Sequence, residues 1–218
     1  MVLAIFDLDH TLINGDSDHA WGEFMIDKGL VDTTYYREHN DQFYADYQAG
    51  TLDIEAYQEF VLGAVNHFTL HELQALHREF MATRIKPMRL SKASKLLDKH
   101  RRNGDFLLIM TSTNQFISGP IASALGADHL LATEGKISKE RYTGQLAGIP
   151  CFGEGKVKRL QTWLGGSGQA LRGSFFYSDS HNDLPLLQLV DNPIAVDPDD
   201  TLRRFAERMD WPIMSLRE

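Results

Sequence analysis

The chain of 218 residues contains only one cysteine, Cys151. A single cysteine cannot form an internal disulfide, which excludes the class of small secreted domains held together by disulfides and fits a reducing compartment. We expect Cys151 to be a small packed or loop residue and not a nucleophile. The hydrophobic content of 43% is enough to build a sizeable core, so the composition does not predict disorder.

The sequence also lacks a long apolar run. No apolar stretch approaches the roughly 20 residues that a transmembrane helix requires. The apolar segment at the amino terminus is too short for a signal peptide, and no basic residues precede it. We therefore expect a cytoplasmic protein with no membrane partner.

Positive charge is scarce, with 22 lysine and arginine residues against 30 aspartate and glutamate residues and a net charge of −8. A surface of this charge repels the phosphate backbone of DNA and RNA, so we expect no nucleic-acid partner.

Histidines are present at positions 67, 71 and 77, but Thr69 and Glu72 predict a capping box that leaves His67 outside the following helix. We interpret these three histidines as solvated side chains and not as a zinc site.

The first feature with chemical potential is the apolar run of residues 2–6, which leads directly into Asp7 and Asp9. Such a run predicts a strand buried on both faces, with Asp7 at the end where open α/β sheets bind ligands. Residues i and i+2 of an extended chain point the same way, so the two carboxylates repel each other unless a cation or a shared proton intervenes. Mg²⁺ would resolve this conflict. An acidic turn after a buried strand explains these two residues equally well.

Residues 15–87, here called the cap segment, carry helix signals and no strand signal. We predict that this segment is an all-helical insertion and that residues 1–14 and 88–218 form the core around it. The aromatic residues at positions 36, 43, 44 and 47 are typical of packing, although one or two would line a substrate pocket if their helix faces the core. The predicted N-caps are Ser17 or Asp18 for the first helix, Asp53 for the third and Thr69 for the fourth, and the second helix is predicted to start at Thr33 or Thr34.

Strands and helices alternate after the cap segment. This alternation predicts a parallel, doubly wound α/β sheet. We also expect a hairpin flap over residues 136–148. The predicted strands are Phe106–Met110, His129–Ala132, Ser174–Tyr177 and Ile194–Val196, and the predicted helices cover Ser91–Asn103, a segment ending at Leu125, Lys156–Leu164, and a segment from Asp199 or Asp200 to Met209.

Three later segments place polar residues after a strand or at a helix start. They are Thr111-Ser112-Thr113, Gly153-Glu154-Gly155-Lys156, and Ser178-Asp179-Ser180-His181-Asn182-Asp183. Together with the Asp-x-Asp-x-Thr pattern that begins at Asp7, and in this order, they make the sequence resemble the haloacid dehalogenase superfamily. The resemblance covers nearly the whole chain and is strongest to the branch that includes phosphoserine phosphatase.

This resemblance implies a Rossmann-like core with a helical cap inserted after the first strand, and it makes the first and fourth predicted strands neighbours. It also implies a Mg²⁺-dependent phosphomonoesterase that acts on a small-molecule phosphate ester through an aspartyl-phosphate. Asp7 would be the nucleophile, and Asp9 would act first as general acid and then as general base. Lys156 would bind the phosphate, although Lys158 lies nearby in the same helix.

The resemblance further assigns binding roles at the strand ends. Thr111 and Ser112 would contact phosphate oxygens. Asp7, Asp179 and the backbone carbonyl of Asp9 would bind Mg²⁺. Asn182 would contact the site, and Asp183 would hold metal-bound waters or orient the phosphate-binding lysine.

The substrate is predicted from two positions. Asp16 falls where phosphoserine phosphatase carries a glutamate for the substrate ammonium, whereas Val61 falls where that enzyme carries the arginine for the substrate carboxylate. The hypothesis is a phosphorylated amino alcohol without a carboxylate, such as histidinol phosphate, unless Arg37 or Arg84 replaces the missing arginine. The alternatives are a phosphoserine phosphatase, a phosphotransferase or mutase with the same chemistry, and a non-catalytic binder. A monomer and a homodimer both fit the sequence.

Overall fold

The computed structural model describes residues 2–217. Its strands, in chain order, are β1 (Leu3–Phe6), β2 (Phe106–Asn114), β3 (His129–Thr133), β4 (Gly135–Ser138), β5 (Arg141–Leu146), β6 (Phe175–Ser178), β7 (Asn192–Val196) and β8 (Ile213–Met214). Six of them form one sheet in the order β3-β2-β1-β6-β7-β8, and every neighbouring pair in it is parallel. The predicted neighbourhood of the first and fourth strands is confirmed by the pairing of β1 with β6.

The helices flank this sheet and fill the cap segment. They are α1 (Ser17–Asp27), α2 (Thr33–Ala49), α3 (Ile54–Val65), α4 (Leu70–Phe80), α5 (Lys86–Met88), α6 (Ser91–Arg102), α7 (Gln115–Leu125), α8 (Glu154–Ser167), α9 (Leu184–Leu187) and α10 (Asp200–Arg208). A π-helical turn, Met81–Ile85, joins α4 to α5. The parallel sheet with crossover helices confirms the predicted α/β class.

Strand β1 is buried on both faces, as its unbroken apolar run predicts. Ala4 and Phe6 belong to one hydrophobic cluster, whereas Leu3 and Ile5 belong to a second cluster on the opposite face of the sheet. Successive strand residues point to opposite faces, so a strand that is apolar throughout requires packing on both sides. The two clusters hold β1, and therefore Asp7, in the middle of the molecule.

The cap segment leaves the core after β1 and returns before α6. Its two ends meet at an antiparallel bridge between Ile13 and Arg89. Side chains of α1, α3 and α4, among them Trp21 and Phe80, share a hydrophobic cluster with Phe6 of the sheet. The cap segment therefore packs on one face of the sheet through a continuous apolar core.

The β4–β5 hairpin confirms the predicted flap. It lies against the cap segment, because the backbone N–H of Leu70 donates to the carbonyl of Glu140 at 2.9 Å. The side chain of Arg141 also donates to the carbonyl of His67. The hairpin thus ties the start of α4 to the core.

Several local predictions hold and others are wrong. Asp53 caps α3 and Thr69 with Glu72 forms the capping box of α4. Helix α2 begins at Thr33, as predicted, with Asp32 as its N-cap. Helix α1 is capped by Asp16 and not by Ser17 or Asp18, and the Asp16 carboxylate accepts from the N–H of His19. Aspartate and the serine next to it are both good N-cap residues, so sequence alone does not rank these neighbours.

The interpretation of the three histidines as solvated is wrong for His77. Its side chain is 5% exposed, and its Nε2 lies 2.9 Å from the carbonyl oxygen of Ile117. This contact joins α4 to α7, and burial lowers the pKa of His77.

Within residues 2–217, no helix combines the length and apolar character that a membrane span requires.

Candidate active site

The carboxyl edge of the sheet brings together the side chains that the sequence motifs singled out. Asp7 follows β1, and its N–H donates to the carbonyl of Tyr177 in β6 at 2.9 Å. Asp179 follows β6, and Thr111 lies near the end of β2. Because β1 lies between β2 and β6, the three polar segments converge on one crevice, as the rule for ligand sites in open α/β sheets predicts.

Lys156 lies at the centre of this crevice. It is 3% exposed, and its Nζ lies 2.8 Å from the carboxylate of Asp7 and 2.8 Å from that of Asp183. The hydroxyl of Ser178 donates to Asp183 at 2.7 Å, which orients that carboxylate. Lys158 is exposed on the same helix, so the structure places Lys156, and not Lys158, beside Asp7.

The ionisation of Asp7 reflects opposing influences. Burial raises its pKa from 3.8 to about 7, while the Lys156 ammonium lowers it and the Asp183 carboxylate raises it further. For Lys156, burial lowers the pKa, but the two carboxylates outweigh burial and raise it above its ordinary value. We conclude that the lysine stays charged and partly neutralises two buried carboxyl groups.

Asp9 is held by three donors from two elements, α1 and β2. One of its oxygens accepts from the N–H of Ser17 at 2.6 Å. The other accepts from the hydroxyl of Thr113 at 2.7 Å and from that of Thr111 at 3.4 Å. Burial and then the charge of Asp16 raise the pKa of Asp9 to about 6, despite these hydrogen bonds. The carboxyl group is therefore fixed in place and titrates near neutral pH.

Asp179 faces Asp7 across the crevice. Its Oδ1 accepts from the hydroxyl of Thr11 at 2.9 Å, and the same hydroxyl accepts from the N–H of Asp179 at 3.1 Å. Burial, followed by the charge of Asp7, raises the pKa of Asp179 well above its ordinary value. Two buried carboxylates that repel each other in one crevice favour binding of a cation or a shared proton.

The donor set at this point suits Mg²⁺. The carboxylates of Asp7 and Asp179 and the backbone carbonyl of Asp9 are hard oxygen ligands, and Mg²⁺ in proteins keeps several waters beside one or two carboxylates. No group of three or more His, Cys, Asp or Glu side chains arranged to hold a metal ion occurs among residues 2–217. The two carboxylates and the carbonyl fit a site whose remaining ligands are waters.

The polar end of β2 differs in detail from the prediction. The strand continues to Asn114, four residues beyond the predicted end at Met110, so Thr111 lies within the strand. The pairing of β2 with β3 shifts register between Thr111 and Asn114. Ser112 and Thr113 line the cavity above Asp7. Thr113, to which the sequence analysis gave no role, makes a shorter hydrogen bond to Asp9 than Thr111 does.

Asn182 lies where the cap segment meets the core. Its side-chain amide donates to the carbonyl of Tyr47 at 3.4 Å, so its direct contact is with α2. Gly50, the C-cap of α2, has φ +72° and lies so close to the ring of His181 that a Cβ there would be 2.7 Å from Nε2. The end of α2 is thereby fitted closely against the loop that follows Asp179.

A cavity between the cap segment and the sheet edge lies above Asp7. Its free volume is about 30 Å³, which is room for a few water molecules at most, so a substrate must displace part of the lining on entry. No lysine or arginine from the described part of the chain lines the cavity. Its lining residues are Asp7, Asp9, Asp16, Asp18, His19, Asn40, Phe43, Tyr44, Tyr47, Leu52, Ile54, Tyr57, Ser112 and Thr113.

The two residues from which the substrate was predicted, Asp16 and Val61, lie in different environments. Asp16 is half-buried and lines the cavity. Val61 is 1% exposed and lies in the hydrophobic core, away from the cavity. Arg37 pairs with Glu23, and Arg84 pairs with a carboxylate at the end of α1. Neither arginine lines the cavity.

Sequence reasoning assigned no role to several residues that the structure places at the site. Thr11 and Ser178 orient carboxylates, and Asp18 lines the cavity beside the fully buried Gln58. Thr11 and Thr113 had a sequence signal. Thr11 lies two residues after Asp9 and Thr113 two residues after Thr111, and side chains two residues apart in an extended chain point to the same side. Gln58 had none, because its position depends on how α3 packs over the sheet.

Comparisons with known proteins agree with this architecture. The family model of haloacid dehalogenase-like hydrolases matches residues 4–188. A histidinol-phosphatase of Neisseria meningitidis serogroup C is 44% identical over 99% of both chains. A Mycobacterium tuberculosis protein described as phosphoserine phosphatase SerB1 is 29% identical over 98% of this chain and 70% of its own length.

Solved structures show the same fold. A Bordetella pertussis protein of unknown function superposes with a TM-score of 0.92 at 42% identity, with 98% of both chains covered. A phosphoserine phosphatase, solved as an analogue of its phospho-aspartyl intermediate, superposes with a TM-score of 0.70 at 16% identity over 100% of this chain and 94% of the other. The chain belongs to the haloacid dehalogenase-like hydrolase family and is a phosphoric monoester hydrolase of its phosphoserine phosphatase-like branch.

Proposed function

We propose that this enzyme is a Mg²⁺-dependent phosphatase that hydrolyses a phosphorylated amine without a carboxylate, with histidinol phosphate as the specific candidate. In this proposal residues 15–87 form a cap domain, and residues 1–14 and 88–218 form the catalytic core. The observation that carries the proposal is the cavity above Asp7, which is lined by carboxylates and aromatic rings and, within residues 2–217, by no lysine or arginine.

The first chemical step is assigned to Asp7. One carboxylate oxygen is held by Lys156 at 2.8 Å, which leaves the other oxygen to attack phosphorus. The P–O bond to the substrate alcohol breaks as the bond to Asp7 forms, which gives an aspartyl-phosphate. Asp9 donates its proton to the departing alkoxide, and its pKa of about 6 suits a group that gives and takes protons near neutral pH.

The second step reverses the role of Asp9. The carboxylate removes a proton from water, the water oxygen attacks phosphorus, and the bond to Asp7 breaks to release inorganic phosphate. Lys156, Thr111 and Ser112 would stabilise the phosphate oxygens in both steps. Mg²⁺, held by Asp7, Asp179 and the carbonyl of Asp9, would neutralise phosphate charge when bound. Asp183 would position the lysine, and Asn182 would hold α2 against the site.

Substrate recognition is assigned to Asp16. Its carboxylate lines the cavity and would pair with the ammonium group of the substrate. A carboxylate on the substrate would meet no lysine or arginine among the described residues of this cavity and would lie near the charge of Asp16, so phosphoserine is disfavoured. The relationship to the histidinol-phosphatase of Neisseria meningitidis, at 44% identity, supports the same substrate class.

The test is a comparison of kcat/KM for histidinol phosphate and phosphoserine in the presence of Mg²⁺. We expect at least a tenfold preference for histidinol phosphate. The variant Asp16→Asn keeps an N-cap residue for α1 and removes the charge, so it should lower kcat/KM for histidinol phosphate by about 30-fold or more, which corresponds to about 2 kcal/mol.

The matched control is Asp32→Asn, which alters the exposed N-cap of α2 outside the cavity. This control should retain wild-type kcat/KM. A preference for phosphoserine, or equal kinetics for Asp16→Asn and Asp32→Asn, would refute the substrate assignment and leave the family assignment intact.

A further inference from the structure

Asp18 is a buried carboxylate with an incomplete set of partners. It lies in the first turn of α1 and lines the cavity, with only 4% of its surface exposed. Its Oδ2 accepts a long hydrogen bond from the amide of Gln58 at 3.4 Å, and a hydrogen bond from the Tyr57 side chain also acts to lower the pKa of the carboxyl group. Its Oδ1 is buried and has no hydrogen-bond partner among the described residues. A buried carboxylate in this condition is unfavourable unless a ligand supplies the missing donor.

The surrounding protein holds Asp18 in place without neutralising it. Gln58 is fully buried, and its amide also donates to the carbonyl of Ser112 at 3.2 Å. This contact links Asp18 to the end of β2. His19 is the basic side chain at the cavity, and its Nε2 is engaged with Asp41 at 3.0 Å. The carboxylate is therefore positioned relative to the phosphate end of the site, while its second oxygen is buried and has no hydrogen-bond partner among the described residues.

Charge and shape define what would satisfy Asp18. Asp16 and Asp18 both line the cavity, and aromatic rings complete its walls at Phe43, Tyr44 and Tyr57. Burial, and then the charges of Asp16 and Asp9, raise the pKa of Asp18 well above its ordinary value. A donor with positive charge would stabilise the carboxylate, and flat aromatic walls favour a flat or cationic group.

We propose that Asp18 contacts the substrate and accepts a hydrogen bond from a second nitrogen of the alcohol, while Asp16 pairs with the first. The preferred substrates are then phosphate monoesters whose alcohol carries two nitrogen donors, one of them on a flat ring. This inference rests on the proposed function, because it assumes that the phosphate end of the ligand lies at Asp7.

The test measures binding and needs no turnover. Calorimetry compares histidinol, which carries an amine and an imidazole, with 3-aminopropan-1-ol, which carries one amine, in the presence of Mg²⁺ and inorganic phosphate. The wild-type protein should bind histidinol at least tenfold more tightly. In Asp18→Asn this preference should fall to threefold or less, and in the control Asp32→Asn it should stay at the wild-type value.

Thermal melting separates this role from a structural one. If Asp18 serves the ligand, Asp18→Asn removes an unfavourable buried charge and should melt at the same temperature as the wild type or higher at pH 8. Gln58→Leu keeps the Asp18 carboxylate and removes the amide that donates to it, so this variant should also weaken the preference for histidinol. A lower melting temperature for Asp18→Asn, with an unchanged preference in Gln58→Leu, would overturn the proposal.

The outcomes for the two proposals are distinct. Hydrolysis of histidinol phosphate together with an unchanged binding preference in Asp18→Asn would refute the role of Asp18 alone. Loss of the binding preference in Asp18→Asn without any hydrolysis of histidinol phosphate by the wild type would refute the proposed function and support the role of Asp18. Absence of any preference in the wild-type protein would overturn the inference directly.

Discussion

Removal of the Lys156 ammonium should destabilise the protein as well as inactivate it. In Lys156→Met, the carboxyl groups of Asp7 and Asp183 lose the cation that lies 2.8 Å from each. Breaking a buried ion pair by removing one partner costs about 3–5 kcal/mol. For a chain of this size each kcal/mol corresponds to about 2–4 °C, so we expect the melting temperature to fall by about 6–20 °C at pH 8.

The fall in melting temperature of Lys156→Met should be larger at high pH than at low pH. The pKa of Asp7 is about 7 with Lys156 present, and removal of the ammonium raises it further. A carboxyl group whose folded pKa is raised contributes stability that is present below its unfolded pKa and is lost as pH rises through the folded pKa. At pH 5.5 the Asp7 carboxyl group of the variant is neutral, so the loss in melting temperature should be smaller than at pH 8.

The assay is thermal melting of metal-free protein at the two pH values, with Lys158→Met as the control. Lys158 lies on the same helix and is exposed, so its replacement should change stability by about 0.5 kcal/mol or less. Turnover should fall by about 100-fold or more in Lys156→Met. Equal destabilisation of the two variants, or a loss for Lys156→Met that shrinks as pH rises, would refute the account of this cluster.

Three further predictions concern Asp9, the metal and pH. Asp9→Asn should lower turnover of an alkyl phosphate, measured by phosphate release, by about 100-fold or more. With p-nitrophenyl phosphate, whose leaving group needs no proton, the same variant should accumulate phosphoenzyme. Chelation should abolish activity, with recovery by Mg²⁺ and poor recovery by Ca²⁺; full activity of metal-free protein would contradict this. The melting temperature of the metal-free protein should fall as pH rises from 5 to 8, because Asp7 and Asp9 have raised pKa values of about 7 and 6 and lose their protons in this range. Calorimetry that shows a higher melting temperature at pH 8 would contradict this prediction.

The parts of the fold that the sequence predicted share a strong local signal. The apolar run of β1 followed by Asp7 defines a buried strand with a polar end. Thr69 and Glu72 define a helix start by a reciprocal hydrogen bond. The glycine-bounded alternation over residues 136–148 indicates the hairpin. In each case the physical cause lies within a few residues, so the pattern predicts the structure without knowledge of the tertiary packing.

The parts that the sequence did not predict depend on contacts between distant segments. Thr111 to Asn114 are polar, yet β2 continues through them because Thr111 and Asn114 pair with β3. His77 is buried because α4 packs on α7, where it meets the carbonyl of Ile117. Asp18 has no local feature that separates it from a solvated acid in a helix, and only the packing of α3 above the sheet places it in the cavity.

The central claim is that Asp7 carries the phosphoryl group, and the direct measurement is identification of the labelled residue. The enzyme is quenched during turnover of histidinol phosphate, the acyl phosphate is reduced with borohydride, and the peptides are mapped by mass. The account predicts modification at position 7, within the peptide that contains Asp9, and no modification in Asp7→Asn, which should fold and be inactive. A phosphorylated serine or histidine, or turnover by Asp7→Asn, would contradict the account.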